Sequence, residues 1–144
     1  MELGLKGKRA LVMGASRGLG RGIAQALAAE GCDLILAARS AEKLRDAAAQ
    51  IESRYGVKAT VVGLDLSDAE TVLAMIDTVK TMGGVDILLG NVGGPPPSGA
   101  LGVAPETWLK HFESMVLNLI RVIDGLVPQM REKKWGRVIT ITSS

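Results

Sequence analysis

The chain has 144 residues, of which 47% are hydrophobic and 22% are charged, and this composition predicts one globular domain with a sizeable core. It excludes a disordered tail, a collagen-like fibre and a mini-protein that depends on disulfides. The formal net charge of +2 is too small to steer the chain to nucleic acid or to a membrane surface.

Short apolar runs alternate along the chain with longer stretches of helical periodicity. They predict strands over 9–13, 33–38, 58–63, 85–89 and 137–142, and helices over 18–30, 41–54, 68–82 and 105 to about 131. Residues 91–103 form a loop dense in glycine and proline. This alternation indicates a parallel sheet covered on both faces. The expected fold is α/β, a doubly wound parallel sheet of the Rossmann type that is truncated after the fifth strand.

Individual residues mark the ends and the faces of these helices. Ser40 is the predicted N-cap of the second helix, and Ser67 that of the third, where Glu70 completes a Ser-x-x-Glu capping box. Gly31 is placed to end the first helix, and Pro128 is expected to kink or loosen the last turns of the long helix. Apolar stripes on the first and last helices are expected to pack in the core: Leu19, Ile23, Ala26 and Leu27, and Trp108, Phe112, Met115, Leu119 and Ile123.

One cysteine and one histidine exclude a disulfide framework, a zinc site built on cysteines and a two-histidine zinc motif. Cys32 is expected to be a buried small residue, and His111 a helix-face residue rather than a catalytic base. No apolar run approaches the ~18 residues of a membrane span, and the first residues lack the apolar core of a signal peptide. A reduced, cytoplasmic protein is the expectation.

Residues 14–20 read Gly-Ala-Ser-Arg-Gly-Leu-Gly and join the first strand to the first helix. Glycines allow a tight turn and a close approach to a pyrophosphate, and the helix N-terminus offers free N–H groups to phosphates. The spacing is G-x-x-x-G-x-G rather than G-x-G-x-x-G, and such a run on its own can serve merely as a turn. Its place in the first βαβ unit favours nucleotide binding.

The end of the second strand carries Arg39, where a site for NAD usually places Asp or Glu to hold the ribose hydroxyls. A guanidinium can bind a 2′-phosphate, and Arg17 in the glycine turn is a second cation. The pair favours NADP over NAD, although both could be ordinary solvated charges. A methyltransferase shares the glycine turn, but it normally needs an acid where Arg39 stands.

Polar residues also follow the third and fourth strands, at the sheet edge where ligands of α/β proteins bind. Asp65 follows the third strand and could accept a hydrogen bond from an adenine amine, or it could simply start the next helix. Asn91 and Gly93 follow the fourth strand.

Five short motifs occur in a characteristic order. They are Met-Gly-Ala-Ser-Arg-Gly-Leu-Gly at 13–20, Leu-Asp-Leu at 64–66, Gly-Asn-Val-Gly at 90–93, Leu-Asn-Leu at 117–119 and Gly-Arg-Val-Ile-Thr-Ile-Thr-Ser at 136–143. They resemble the cofactor turn, the adenine-contacting Asp, the N-N-A-G motif, the helical Asn and the catalytic Ser strand of the short-chain dehydrogenase/reductase family. Met13 stands where the family usually has Thr, and the first Asn of N-N-A-G is lost. The match looks closest to members labelled 3-oxoacyl-acyl-carrier-protein reductase.

The resemblance implies an NADP-dependent enzyme that transfers hydride between nicotinamide and a carbonyl or alcohol substrate and forms a dimer or tetramer. No metal site is predicted. The resemblance also implies that Asn118 and Ser143, rather than Ser144, are catalytic; from the residues alone both would be read as ordinary structural polar groups. The implied cofactor contacts are Gly14, Ser16, Arg17, Gly18, Leu19, Gly20, Arg39, Asp65, Leu66, Asn91 and Gly93.

The sequence also departs from the family. Family chains run to roughly 250 residues, the size of a large single α/β domain, and carry a Tyr-x-x-x-Lys pair beyond the Ser. That pair is not found in these 144 residues. One hypothesis is that residues 1–144 are the dinucleotide-binding, Rossmann-type part of an incomplete oxidoreductase. The alternative is a natural short form that binds a dinucleotide for regulation or assembly and does no chemistry.

Overall fold

The computed structural model of the protein describes residues 2–143. Its five strands are β1 (Arg9–Met13), β2 (Asp33–Ala38), β3 (Ala59–Gly63), β4 (Ile87–Gly90) and β5 (Arg137–Thr140). Its helices are α1 (Gly18–Ala29), α2 (Ala41–Tyr55), α3 (Ala69–Thr81), α4 (Pro105–Phe112) and α5 (Asn118–Glu132), and a π-helical segment, Glu113–Leu117, joins α4 to α5. Among these described elements no helix is long and apolar enough to cross a bilayer.

The strands form one parallel sheet in the order β3-β2-β1-β4-β5. The chain adds β2 and β3 on one side of β1, and then returns to add β4 and β5 on the other side. The strand order therefore reverses between β1 and β4, which is where open α/β sheets form a ligand crevice at their carboxyl edge. The predicted doubly wound, Rossmann-type sheet is confirmed.

The side chains of alternate strand residues pack in two separate hydrophobic cores, one on each face of the sheet. Leu11 and Leu88 pack in the core beneath α3 and α5. Val12 and Leu89, their neighbours in β1 and β4, pack in the core beneath α1 and α2. This burial of both faces explains why the strands are continuous apolar runs rather than alternating ones.

Helix α1 lies against the sheet through small residues. Gly20, Ala24 and Ala28 are buried, whereas Leu19 is 67% exposed. The predicted core-facing stripe of α1 is therefore only partly confirmed. Ile23 and Leu27 pack against the core, but Leu19 and Ala26 are exposed. Small side chains let the helix axis come close to the sheet, which a large side chain would prevent.

The helix ends confirm two of the predicted signals and correct a third. The hydroxyl of Ser40 accepts a hydrogen bond from the Lys43 N–H, as expected of an N-cap. Gly31, with φ +83°, follows the end of α1 as expected. The predicted Ser67 cap is wrong, because Asp68 is the N-cap of α3 and its carboxylate accepts from the Glu70 N–H at 3.0 Å.

The predicted long helix is confirmed, since α4, the π-helical segment and α5 follow one another without a gap from Pro105 to Glu132. The helix also continues through Pro128. Core packing holds only for the C-terminal part of its apolar stripe. Leu119 is 7% exposed, whereas Trp108 and Phe112 are 63% and 52% exposed. Helix α5 packs on α3, but the contacts of α4 within the described chain are mainly with the π-helical segment.

Candidate cofactor-binding site

The glycine turn after β1 and the first residue after β4 meet at the reversal of strand order. Gly14 and Gly18 have φ of +64° and +58°, a region that glycine occupies without strain. A Cβ on Gly14 would lie 2.9 Å from Asn91 Nδ2, and a Cβ on Gly20 would lie 2.7 Å from the carbonyl carbon of Gly14. The turn is thus folded tightly on itself and on Asn91, and only glycine fits at position 20.

The N-terminus of α1 begins in this turn. Arg17 is its N-cap residue, in an extended conformation, and no side chain of the described residues caps this end of the helix. The first turn of α1 also holds no acidic residue. Its backbone N–H groups and the positive end of the helix dipole are therefore available to an anion.

Arg39 and Asp65, which follow β2 and β3, line the same cleft of about 340 Å³ between the sheet edge and α3. Arg39 is exposed. The pKa of Asp65 lies below its ordinary value, chiefly because the Ser67 hydroxyl and backbone N–H donate to its carboxylate, and also because the Arg39 charge is near. The carboxylate therefore stays ionised at neutral pH and can accept a further hydrogen bond.

Thr71 on α3 holds the backbone of the loop that carries Asp65. Its Oγ1 accepts from the Asp65 N–H at 3.1 Å and lies 2.8 Å from the Asp65 carbonyl oxygen. The Asp65 Oδ1 accepts from the Ser67 hydroxyl at 2.7 Å. Asp65 thus has the loop-forming role that was the alternative interpretation, and it also faces the cleft with Arg39. Thr71 was not predicted as a site residue, because the Ser67 capping box accounted for the turn before α3.

Asn118 is the one polar side chain in the buried set of the described residues, at 1% exposure. Its Nδ2 donates to the Leu66 carbonyl oxygen at 2.6 Å, and its Oδ1 accepts from Arg121 Nη1 at 2.5 Å. The structure therefore brings two predicted site residues, Asn118 and Leu66, into direct contact. Arg121 was missed, and its position three residues after Asn118 on the helix was the available signal.

Ser143 lies exposed beyond β5 at the same edge of the sheet. The Ile141 N–H bonds to the Gly90 carbonyl oxygen at 2.9 Å, so pairing with β4 continues past the end of β5. No hydrogen bond between described residues joins Ser143 to Asn118. Ser16 is half-buried in the glycine turn and Gly93 is exposed after β4, whereas Ser144 lies outside the described residues.

The remaining candidates lie away from this edge. Cys32 is fully buried, as predicted, and its Sγ lies 3.4 Å from the Leu5 carbonyl oxygen. Burial and the nearby Asp33 charge raise the pKa of this thiol. His111 is half-buried on α4, where its carbonyl oxygen accepts from the Ser114 hydroxyl at 3.2 Å.

Comparison with known proteins places this geometry in a family. The sequence model of the short chain dehydrogenases matches residues 8–144. The 3-oxoacyl-[acyl-carrier-protein] reductase of Aquifex aeolicus is 31% identical over 99% of this chain and 58% of its own length. The L-sorbose reductase of Gluconobacter frateurii, solved with NADPH and L-sorbose, superposes with a TM-score of 0.91 at 35% identity, over 97% of this chain and 54% of that one.

A 3-oxoacyl-(acyl-carrier-protein) reductase of Agrobacterium tumefaciens with NADP bound superposes with a TM-score of 0.88 at 29% identity, over 96% of this chain and 54% of its own. The chain thus spans a little over half the length of these three proteins. Because the family model covers nearly every residue from the first strand onward, the chain belongs to the short-chain dehydrogenase/reductase family of oxidoreductases.

Proposed function

We propose that this chain binds NADP(H) as the cofactor-binding part of an oxidoreductase that transfers hydride between nicotinamide and a carbonyl or alcohol substrate. The observation that carries the proposal is that Arg39 and Asp65 line one cleft at the sheet edge. The N-terminus of α1, which has no side-chain cap, supports it. No acid stands at the end of β2 to repel a 2′-phosphate. The complexes of the sorbose reductase with NADPH and of the Agrobacterium reductase with NADP support the same cofactor.

The residues at the edge of the sheet fit the parts of such a cofactor. Backbone N–H groups at the N-terminus of α1 would hold the pyrophosphate. The residues around this terminus are Gly14, Ser16, Gly18, Leu19 and Gly20. The absence of side chains at the glycines leaves the backbone open to close approach.

Other residues would bind the adenosine end of the cofactor, which consists of the adenine and the ribose with its 2′-phosphate. Arg17 and Arg39 would bind the 2′-phosphate, because a guanidinium can donate two parallel hydrogen bonds to phosphate oxygens. Asp65 and Leu66 would contact the adenine. Asn91 and Gly93, beside the glycine turn, would line the path of the cofactor towards β4 and β5.

NADPH, when bound, supplies the hydride, and the protein orients it. Ser143, which lies just beyond β5, is the proposed residue that holds the substrate oxygen, since its hydroxyl can donate a hydrogen bond to it. Asn118, the other residue that the resemblance implies is catalytic, is proposed here as a positioning residue. Its carboxamide is already bonded to Leu66 and Arg121, so its side chain contributes by fixing the surrounding backbone.

Calorimetric titration of the 144-residue chain with NADPH and with NADH tests the cofactor assignment. We expect NADPH to bind about tens- to hundreds-fold more tightly, because two charge-assisted contacts to the 2′-phosphate would each contribute ~1.5–3 kcal/mol before screening by water and salt. Equal affinities, or no binding of either cofactor, would contradict it. Tight NADPH binding without NADPH-dependent turnover of any member of a carbonyl panel would favour the non-catalytic alternative.

We also propose that a second copy of the chain covers the apolar stripe on α4 and the start of α5. Six large apolar side chains there are 38–68% exposed: Trp108, Leu109, Phe112, Val116, Leu117 and Ile120. Contiguous exposed apolar surface of this kind marks interaction sites in folded proteins. A helix face can bury such a stripe against the same stripe of a symmetry mate.

Replacing Leu109 and Phe112 together by Glu should therefore convert an oligomer into a monomer, because two charges would be buried at the contact. Sedimentation equilibrium measures the mass of the wild type and of the variant. Leu73→Glu is the matched control, since Leu73 is 54% exposed on α3, away from the stripe. A wild-type chain that stays monomeric at high micromolar concentration, or a double variant that stays oligomeric, would refute the assignment.

A further inference from the structure

Arg121 contacts residues at both ends of the π-helical segment. Its Nη1 lies 3.2 Å from Glu113 Oε1, at the start of the segment, and 2.5 Å from Asn118 Oδ1, immediately after it. The Asn118 N–H also bonds to the Glu113 carbonyl oxygen. The Arg121–Glu113 ion pair is 41% and 49% exposed, so by itself it contributes little to stability. The contact of consequence is the one with the buried Asn118.

The guanidinium determines which way the Asn118 carboxamide faces. An amide can be rotated so that its oxygen and nitrogen exchange places. In the exchanged orientation the Asn118 nitrogen would face the Arg121 donor and its oxygen would face the Leu66 carbonyl, so both hydrogen bonds would be lost. Because Arg121 can only donate, it favours the orientation in which Nδ2 reaches Leu66 at 2.6 Å.

Leu66 lies next to Asp65 in the loop between β3 and α3, and Asn118 reaches it across 52 residues of sequence. We infer that Arg121 is a positioning residue for the adenosine end of the cofactor site: through Asn118 it fixes Leu66, and with Leu66 the carboxylate of Asp65. This inference rests on the proposed function. Arg121 itself lines no part of the cleft that holds Arg39 and Asp65.

Arg121→Met removes the donor and keeps most of the side-chain length. We expect it to weaken NADPH binding about threefold to tenfold, the effect of one lost intramolecular hydrogen bond on a preorganised site. Arg121→Lys, which can still donate to Asn118, should recover part of the affinity. Arg131→Met is the matched control on the same helix and should bind NADPH as the wild type does. A role confined to stability would lower the melting temperature of Arg121→Met without changing its cofactor affinity, and that result would overturn the inference.

The ¹⁵N–¹H signals of the Asn118 carboxamide supply a readout that needs no cofactor. In the wild type we expect two well-resolved signals from a fixed amide, and in Arg121→Met shifted or broadened ones, together with a shift of the Leu66 backbone signals. Unchanged Asn118 and Leu66 signals in Arg121→Met would refute the inference. If the wild type binds no NADPH, the proposed function fails, while these signals still decide the role of Arg121. Should Arg121→Met not fold, Arg121→Ala, which also removes the donor and has the highest helix propensity, is measured instead. Unchanged Asn118 and Leu66 signals in that variant would equally refute the inference.

Discussion

Replacing Arg39 by Asp is expected to abolish or reverse the preference of the chain for NADPH over NADH. The 2′-phosphate carries up to two negative charges, and in the wild type it would meet a guanidinium in the cleft shared with Asp65. The Asp variant removes that attraction, adds repulsion and supplies an acceptor for the ribose hydroxyls of NADH. Each ~1.4 kcal/mol is a tenfold change in affinity, so removing a preference of tens- to about a hundredfold requires roughly 1.4–2.8 kcal/mol. The loss of one charge-assisted contact, at ~1.5–3 kcal/mol, can supply this in one substitution.

Calorimetry of both cofactors with both proteins measures this preference directly. Arg45→Asp, an exposed position on α2, is the matched control, because it changes the net charge by the same amount away from the cleft. The control should retain the wild-type ratio of affinities at equal ionic strength. If Arg39→Asp and Arg45→Asp alter the ratio equally, the general charge of the chain sets the preference, and Arg39 is only a solvated surface charge.

Features that depend on neighbours in sequence were predictable from the sequence alone. The apolar runs located all five strands, although β4 begins at Ile87 rather than 85 and β5 ends at Thr140 rather than 142. The order of strands and helices was enough to predict the parallel sheet, since parallel strands need crossover connections. Placing the glycine turn after β1 and Asn91 after β4 then put both at one edge of the sheet.

Whether an apolar helix face is buried or exposed could not be predicted from the sequence. The periodicity at Trp108 and Phe112 shows an apolar face, but periodicity contains no information about which element packs on that face. In the structure α5 packs on α3, whereas α4 leaves these rings largely exposed. Contacts across long separations were hidden for a similar reason, because the Asn118–Leu66 hydrogen bond joins residues 52 apart.

The N-cap of α3 was predicted wrongly for a different reason, because two adjacent residues could each have served as the cap. Ser67 and Asp68 are both good N-cap residues, and the Ser-x-x-Glu pattern favoured Ser67. The structure uses Asp68 as the cap, while Ser67 donates to the Asp65 carboxylate. Sequence alone could not reveal that Asp65 needed a donor, since the loop had to be folded first.

Gly20→Ala is expected to have the largest effect on both folding and cofactor binding. The added methyl group would overlap the carbonyl group of Gly14, 2.7 Å from its carbon, and would lie 3.2 Å from Asn91 Nδ2. Backbone atoms cannot move aside as a flexible side chain can, so the turn between β1 and α1 would have to open. Overpacking of this kind costs about 1–3 kcal/mol of folding free energy, and more where the backbone cannot relax.

Gly22→Ala makes the same chemical change on the same helix, where an added Cβ has no neighbour within 4 Å among the described residues. Alanine is the better helix former, so this control should raise the free energy of unfolding by about 0.5–1 kcal/mol. Urea unfolding curves and NADPH titrations of both variants give the comparison. We expect effects of opposite sign on stability, with NADPH binding lost only in Gly20→Ala. Equal behaviour of the two variants would show that position 20 tolerates a side chain, and that the close approach of Gly20 to Gly14 is not what shapes the site.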